Sequence, residues 1–503
     1  MIEKWGIGFV FEDSAARLRL AALSAAILLG VGFVLPPLYP AAFFGVGLFV
    51  LVSIKSTSKT SAFWQGWSTG FIFYLLVFAN IAASLFPIAW IGIENPVFQW
   101  LIIVSAWTLV SAAMAISYGI LGWLIHTVGA KYWYSLVIIP FLWVASENLS
   151  AWIFSLITIG EGTLFGGHFT LGFVGYLLAE NLALLQVASL GGVYALTFLL
   201  VSIGVLVAKW WESLTDRQKE LRGLAVALFI GFILILDPVY SIFLSRAAGE
   251  EPSNDALKVA VISRYVPPSL DKGDEYWDQR YDELGALISQ LQNIDLLVFP
   301  ETSAFLQGKS YGEDQTSAIL RGLGSDNLLA IDSQDVHVAD DSLRSVATFF
   351  SAAKTSTGGK QFLLPFGEYL PYIYVWPMRL LGQGELLNKV QSLRGYQPGV
   401  NNINPTISDT SVAVRFCDEV LSPTLYRKQV KNGANVLVNI SSLSWFHGSL
   451  PVYKQLQNIA KVRAVENGRW YIQSGNMAPA FILDHHGRVV EESERETLSV
   501  IQA

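Results

Sequence analysis

Charge and cysteine are the two things that this 503-residue chain has little of. Charged residues make up 15% of it, against about 25% in an ordinary soluble protein. With 52% hydrophobic residues and a mean hydropathy of +0.44, the composition excludes a plain soluble globule, a disordered chain and a nucleic-acid-binding protein. The single cysteine, Cys417, excludes a disulfide within one chain. The six histidines show no metal-ligand spacing, so we expect no metal and no cofactor.

The shortage of charge is confined to the first half of the chain. Residues 1–246 carry 11 Lys/Arg and 11 Asp/Glu, whereas residues 247–503 carry 22 and 29. The first composition is typical of a membrane domain and the second of an acidic globular domain. We therefore predict a transmembrane domain over 1–246, a linker over 247–256 and a globular domain over 257–503.

Seven apolar stretches in the first half have about the length that a membrane-spanning helix needs, which is roughly 20 residues. They cover about 18–35, 38–54, 62–90, 97–126, 132–157, 176–208 and 223–244. The first stretch is followed by no small-residue cleavage site, so we expect it to be an uncleaved anchor.

The basic residues of the first half fall on alternate sides of these stretches. Those before Arg246 lie before the first stretch and in the second, fourth and sixth loops, whereas the loops near 36–40, 91–96 and 158–175 contain none. This positive-inside pattern predicts a cytoplasmic N-terminus and, with seven spans, a globular domain on the outer face.

Four ionisable residues lie in or near the apolar stretches. Glu147 is inside a predicted span, where a packing or cavity role is expected. Glu161, His168 and Glu180 belong to a glycine-rich outer loop and its margins, where contact with water is the simpler interpretation.

The second half alternates short apolar runs with helical patterns, which predicts a layered α/β domain. The predicted strands cover 258–263, 294–300, 328–332, 345–352, 411–416, 435–440, 470–474 and 480–483. Helical spacing covers 277–291 and 453–467.

Three reactive residues stand at the ends of such elements. Glu301 ends the run LLVFP, Cys417 ends the run VAVRF, and Lys360 opens the apolar stretch QFLLPFGE. Alone, a cysteine is more often a small buried hydrophobic residue, and the Glu and the Lys are more often solvated. Together they provide a thiol nucleophile, a general base and a positive charge for a thiolate or an oxyanion.

The order Glu301, Lys360, Cys417 and its flanking residues resemble the nitrilase (carbon–nitrogen hydrolase) superfamily. Within it, the segments LLPFGE before Glu368, WFHG from Trp445 and AKVRAVENGR from residue 460 are similar to those of the apolipoprotein N-acyltransferase family. The family pattern has Tyr where this chain has Asp418. It also places a membrane helix after the catalytic domain, beyond the last residue of this sequence.

The resemblance implies a polytopic helical membrane domain followed by an αββα sandwich. It implies a catalytic triad of Glu301, Lys360 and Cys417, with Glu368 and Glu419 orienting Lys360 or sharing its charge. Candidate substrate or lid residues are Trp277, Tyr372, Trp376 and Trp445. Apolar residues between 369 and 388 would form a lipid-facing lid; the alternative is ordinary core.

The implied reaction moves an acyl chain from a phospholipid, typically phosphatidylethanolamine, through a cysteine thioester to the α-amine of a diacylglyceryl-cysteine lipoprotein. The enzyme would be a monomer in the bacterial inner membrane, with its catalytic domain on the periplasmic face. Two alternatives stay open. One is a membrane-tethered amidase of the nitrilase type, and the other is a divergent, non-catalytic family member.

Overall fold

The structure is a computed structural model. It describes residues 15–88, 95–129, 134–213, 219–247, 257–268, 274–306, 322–323, 328–338, 342–351, 355–385, 387–388, 391, 395–399 and 404–503. The chain forms two compact units. The first comprises Met1–Ala83, Ile102–Ser155 and Phe169–Gly249, and the second Ser84–Leu101, Leu156–His168 and Glu250–Ala503. Apart from Ala247, the predicted linker lies outside the described residues.

Helices make up the first unit and the segments that lead from it into the second. They are α1 (Ala15–Val34), α2 (Ala41–Lys55), α3 (Lys59–Val77), α4 (Ala79–Ser84), α5 (Pro96–Val128), α6 (Ser135–Ile157), α7 (Leu182–Leu185), α8 (Ala188–Ser213) and α9 (Lys219–Ala247). Four described helices contain a stretch long and apolar enough to cross a membrane: Ala16–Val34, Pro96–Val128, Ser135–Ile157 and Ala188–Trp211. Two shorter apolar helices cover Ala41–Lys55 and Leu228–Phe243. The count of seven spans stays a prediction.

Two of the predicted stretches differ from the observed helices. The stretch 62–90 is divided between α3 and α4, because Phe78 caps α3 and a new helix begins at Ala79. The stretch 176–208 begins with a 3₁₀ turn over Val174–Glu180 and with α7, and its long helix starts only at Ala188. The Asn181 side chain accepts the backbone N–H of Leu184 and caps α7, which separates it from the turn before.

Close helix packing and buried aromatic rings form the core of the first unit. A Cβ built on Gly122 of α5 would lie 2.6 Å from the carbonyl oxygen of Ala62 of α3, so only glycine allows this approach. The fully buried rings of Phe49, Tyr118 and Trp143 meet edge to face, with centroids 5.2 to 5.7 Å apart.

Glu147 is buried in this helical unit and is fully hydrogen-bonded. Its Oε1 accepts the backbone N–H of Val174 at 2.7 Å, and its Oε2 accepts the hydroxyl of Thr197 at 2.7 Å. The same hydroxyl oxygen accepts the N–H of Gly175 at 3.1 Å. Glu147 therefore ties α6 to the 3₁₀ turn and to α8, which agrees with the predicted packing role.

The second unit combines strands and helices. Its strands are β1 (Val259–Arg264), β2 (Leu296–Val298), β3 (Leu329–His337), β4 (Leu343–Ser351), β5 (Thr355–Gly359), β6 (Thr406–Ile407), β7 (Thr410–Phe416), β8 (Val436–Ser442), β9 (Trp470–Asn476), β10 (Phe481–Leu483), β11 (Val489–Glu492) and β12 (Ser499–Gln502). Its described long helices include α10 (Asp274–Ile288), α11 (Tyr372–Leu380), α12 (Pro423–Lys431) and α13 (Leu450–Asn467).

The strands form one curled mixed sheet in the order β5-β4-β3-β2-β1-β9-β8-β7-β6. β1 and β9 pair only through their last residues, Ser263 with Gly475 and Arg264 with Asn476. Elsewhere β12 pairs with β1 and β10 with β9, both antiparallel. The sheet thus divides into two halves that join at one edge.

Alternate residues of the strands face two different cores. Val261, Val298 and Ile331 of one half-sheet share a core with Val414 and Ile440 of the other. The alternate residues, such as Ile262 and Leu297, pack instead against Leu284 and Ile288 of α10. On the other half-sheet, α12 packs on β7, and α13 packs on β9 and α12. The layers are therefore helix, sheet, sheet, helix, which confirms the predicted sandwich.

The eight predicted strands are confirmed, with ends shifted by a few residues. The sequence patterns predict none of β5, β6, β11 and β12. These strands have two to five residues, which is too short for a clear apolar alternation. β5 has no apolar side chain of strand type at all, because it consists of Thr, Ser and Gly.

Candidate active site

Three strand ends bring the predicted triad residues to one edge of the sheet. β2 and β7 are parallel members of the sheet, and Glu301 and Cys417 follow their carboxyl ends. β5 runs antiparallel to β4, and β4 antiparallel to β3, so β5 ends at the same edge and Lys360 follows it. The Lys360 ammonium lies 3.5 Å from Glu301 Oε1 across 59 residues of chain.

Lys360 is 2% exposed and touches three carboxylates. Its Nζ lies 2.7 Å from Glu368 Oε1, 2.7 Å from Asp418 Oδ1 and 3.5 Å from Glu301 Oε1. Its backbone is held on both sides, since its N–H donates to Ser345 and its carbonyl accepts from Gly399. Lys360 is therefore buried, although it directly follows a pair of glycines. Its ammonium has the anionic partners that a buried charge needs.

Cys417 stands at a strained turn between β7 and a 3₁₀ turn over Cys417–Leu421. Its φ of +26° is a left-handed value that non-glycine residues rarely adopt. The residue as a whole is half-buried. The Ser441 hydroxyl donates to Sγ at 3.5 Å, Sγ donates to the Ser442 carbonyl at 3.4 Å, and Asn439 Nδ2 holds the Cys417 carbonyl at 3.2 Å. These contacts fix the position of the thiol.

Glu368 is anchored twice. Its Oε1 binds Lys360, and its Oε2 accepts the backbone N–H of Leu364 at 2.7 Å. The turn that allows this includes Phe366 at a φ of +66° and closes with its N–H on the carbonyl of Tyr369. The segment LLPFGE thus folds back on itself and presents Glu368 to the lysine, as expected.

Glu419 acts on the backbone rather than on the ammonium. Its carboxylate is fully buried and accepts the N–H groups of Gln361 at 2.8 Å, Phe362 at 3.1 Å and Phe416 at 3.0 Å. Arg415 balances its charge at 3.7 Å. Of the two expected roles, orienting Lys360 or sharing its charge, these contacts favour the first, because Glu419 holds the backbone directly after Lys360 and directly before Cys417.

Arg264, at the end of β1, holds the turn that carries Glu301. Its guanidinium donates to the carbonyls of Thr302 at 2.7 Å, Glu301 at 3.3 Å and Ser303 at 3.3 Å. Thr302 has a φ of +54°, and its N–H donates to Ser333 Oγ. Sequence reasoning missed Arg264, although a charged residue that ends a buried apolar strand was a usable signal.

Burial and mutual charge shift the ionisation of the site. Burial, with Glu368 and Asp418 adding to it against Lys360, raises the pKa of Glu301 to about 8. Burial and the charge of Glu301 raise the pKa of Cys417 to about 12. For Lys360, burial alone would lower the pKa, but the three carboxylates outweigh it and raise the pKa well above its usual value. At neutral pH Lys360 is therefore an ammonium and Cys417 a thiol, and the pKa of Glu301 lies close enough to this pH for the carboxyl group to give or accept a proton.

The lid candidates Tyr372 and Trp376 lie on α11. Trp376 is 65% exposed, and Leu380 and Leu381 beside it are 88% and 76% exposed, whereas Val375 points inward. The Tyr372 N–H donates to the carbonyl of Ile159, and the ring of Tyr372 stacks on Trp376. Most of this segment is therefore not core, and its role as a lid stays a prediction.

The other two candidates lie in different places. Trp277 on α10 lines a cavity of about 130 Å³ together with Arg264, Tyr281 and Ser303, behind the Glu301 turn. Trp445 lies in a 3₁₀ turn over Ser444–Phe446 that follows β8. Substrate contacts for both residues stay predictions.

The loop residues of the predicted outer segment have mixed surroundings. Glu161 is exposed, as expected for contact with water. His168 is half-buried: its Nδ1 is 2.8 Å from Ser422 Oγ and its ring is near Phe362. Burial lowers the pKa of His168.

Comparison with known proteins shows which families the chain resembles. Residues 25–206 match the family model of the apolipoprotein N-acyltransferase N-terminal domain, and residues 379–503 match that of carbon-nitrogen hydrolase. The chain is thus similar to the apolipoprotein N-acyltransferase family. It is 23% identical to the enzyme of that name from Geobacter metallireducens over 95% of this chain and 87% of the relative. It is 26% identical to the one from Nitrosomonas europaea over 94% and 89%.

Among solved structures, about half of the chain is similar to each of two proteins. A carbon-nitrogen hydrolase from Helicobacter pylori is 13% identical, with a TM-score of 0.36 over 49% of this chain and 88% of that one. An amidase from Nesterenkonia is 15% identical, with a TM-score of 0.34 over 51% and 92%. The similarity to apolipoprotein N-acyltransferases, together with the apolar helices, supports an acyltransferase and a bacterial membrane protein.

Proposed function

We propose that the protein transfers a fatty acyl chain from a membrane phospholipid, phosphatidylethanolamine, to the α-amine of the N-terminal diacylglyceryl cysteine of a lipoprotein. The proposal depends on one observation above all. A buried ammonium, Lys360, joins Glu301 to the turn of Cys417, the only thiol of the chain. A base, a positive charge and a nucleophile at one point suit acyl transfer through a covalent intermediate.

In the first half-reaction Glu301 accepts the proton of the Cys417 thiol, and the thiolate attacks the ester carbonyl of the phospholipid. Lys360 stabilises the negative oxygen of the tetrahedral intermediate. As the intermediate collapses, the ester C–O bond breaks, Glu301 returns the proton to the lysophospholipid oxygen, and the acyl chain remains on Sγ as a thioester.

In the second half-reaction the lipoprotein amine attacks the thioester, and Glu301 accepts a proton from the attacking nitrogen. The C–S bond then breaks, the sulfur regains a proton and an amide is released. Because the phospholipid product leaves before the amine reacts, the kinetics are ping-pong.

The architecture assigned to this function has seven spans over 1–246, a cytoplasmic N-terminus and a catalytic domain on the periplasmic face of the inner membrane. The protein works as a monomer. The exposed apolar residues of α11 support a donor that enters from the bilayer, because Trp376, Leu380 and Leu381 lie against no core. A membrane-tethered amidase would not need this surface.

Intact-mass measurement after incubation with phosphatidylethanolamine tests the proposal. Wild type should gain the mass of one acyl chain, and addition of a diacylglyceryl-cysteine peptide should remove it. Cys417→Ala and Cys417→Ser should gain nothing. An acyl adduct on the alanine variant would refute the thioester, and release of ammonia from small amides without phospholipid would favour the amidase.

A further inference from the structure

Asp418 differs from the other carboxylates around Lys360 in how it is held. It is 5% exposed, and its Oδ1 lies 2.7 Å from Lys360 Nζ. Apart from this ion pair, neither of its oxygens has a hydrogen-bond partner among the described residues. Glu368 and Glu419, in contrast, each accept backbone N–H groups. The ion pair with Lys360 is thus the main contact that Asp418 would lose by moving.

Three carboxylates surround the ammonium, as many as it has donors. A lysine ammonium has three N–H groups, and Glu301, Glu368 and Asp418 all lie within 3.5 Å of Nζ. The oxyanion of an acyl-transfer intermediate needs one of these donors. Glu368 is anchored and Glu301 is needed as the base, so Asp418 is the partner that can be displaced.

We propose that Asp418 is a positioning residue that occupies one N–H of the Lys360 ammonium in the resting enzyme, keeps Cys417 in its thiol form, and yields that N–H to the carbonyl oxygen of the substrate. This inference rests on the proposed function for its last step only. The effect on Cys417 is independent of the substrate.

Several charged or titratable groups face Asp418 from the surrounding elements: Lys360 after β5, Glu301 after β2, Glu368 and Tyr369 from the following turn, and Cys417 and Glu419 beside it. Lys360 is the cation among these groups. Burial and the charges of Glu368 and Glu419 raise the pKa of Asp418 to about 7, against the opposing effect of Lys360. Its negative charge in turn adds to the raised pKa values of Cys417 and Glu301. Removal of this charge should therefore favour the thiolate.

Alkylation of the thiol tests this in the full-length protein. Because Cys417 is the only cysteine, iodoacetamide uptake followed by intact mass reports on this residue alone. At about pH 8, Asp418→Asn should react roughly tenfold faster than wild type, since loss of a neighbouring negative charge that lowers the thiol pKa by about one unit gives about ten times more thiolate. Asp418→Ser removes the same charge with a smaller side chain and should show the same increase.

Two controls separate charge from loosened packing. Asp418→Glu restores the carboxylate and should return the alkylation rate to that of wild type. Asp409→Asn removes one charge from the exposed turn at the other end of β7 and should leave the rate unchanged. Equal alkylation rates in wild type and in both charge-removing variants would overturn the proposal, as would a fast Asp418→Glu variant.

The same proteins also separate this inference from the proposed function. If wild type forms no acyl adduct with phosphatidylethanolamine, but Asp418→Asn and Asp418→Ser are alkylated faster, the function fails and the restraint of Cys417 stands. If wild type forms the adduct but the alkylation rates are equal, the function stands and Asp418 has no such role.

Discussion

Glu419 accepts the backbone N–H of Phe362 at 3.1 Å, across 57 residues of chain. The same carboxylate accepts the N–H of Gln361 and that of Phe416. One buried side chain therefore holds the backbone just after Lys360 and just before Cys417. The spacing of the ammonium and the thiol follows from this shared anchor.

Glu419→Gln should weaken this anchor. Glutamine has one acceptor oxygen and carries no charge. Its NH₂ group would face backbone N–H donors, so the charge-assisted hydrogen bonds that the Glu419 carboxylate accepts would be lost or weakened. We expect a loss of about 1.5–3 kcal/mol in the free energy of unfolding and slower acyl-enzyme formation. Denaturant unfolding and intact mass measure the two effects. Glu491→Gln, on an exposed position of β11, is the matched control and should change neither. Wild-type stability in Glu419→Gln would contradict the anchor.

The rate of acyl-enzyme formation should rise with pH through about 8. Glu301 works as a base only when it is ionised, and burial with two neighbouring carboxylates raises its pKa to about 8. Below this pH the protonated fraction grows and the rate falls. An ordinary glutamate, with a pKa near 4.5, would give a flat profile here. Single-turnover rates between roughly pH 6 and 9 check this. Glu301→Gln, the control, should be slow and without this rise.

Arg264→Lys should slow the chemistry without weakening substrate binding. The guanidinium holds three successive carbonyls of the Glu301 turn, and a lysine ammonium cannot span them. A misplaced base can lower the rate by up to about a hundredfold. We expect a lower kcat with an unchanged KM for phospholipid. Arg427→Lys, at an exposed position of α12, should behave as wild type. A raised KM with unchanged kcat would instead indicate substrate binding in the adjacent cavity.

Trp376→Ala should raise the KM for phospholipid in vesicles and leave the unfolding temperature unchanged. Trp376 is 65% exposed, so its removal leaves no core cavity. Its apolar ring is available to a bilayer or to an acyl chain. Vesicle kinetics and thermal unfolding measure the two quantities. Trp470→Ala, also partly exposed, is the control. An unchanged KM would count against a lipid-facing lid.

Local patterns in the sequence predicted most of the second unit. Strands such as 411–416 and 435–440 are apolar runs of strand length, and the structure confirms them as β7 and β8. The short strands β5 and β12 carried no such signal. They form because neighbouring strands offer unpaired edges: β4 for β5, and β1 for β12. Pairing of this kind is a property of the assembled sheet.

The sequence by itself determined the membrane-like first half, the layered second half and the identity of the three reactive residues, because composition, apolar runs and residue order can be read along the chain. Only the tertiary structure decided their surroundings. Lys360 meets Asp418, Arg264 holds the Glu301 turn, and Glu419 binds backbone rather than the ammonium. These contacts join residues that are distant in the chain, and they exist because β2, β5 and β7 end at the same edge of the sheet.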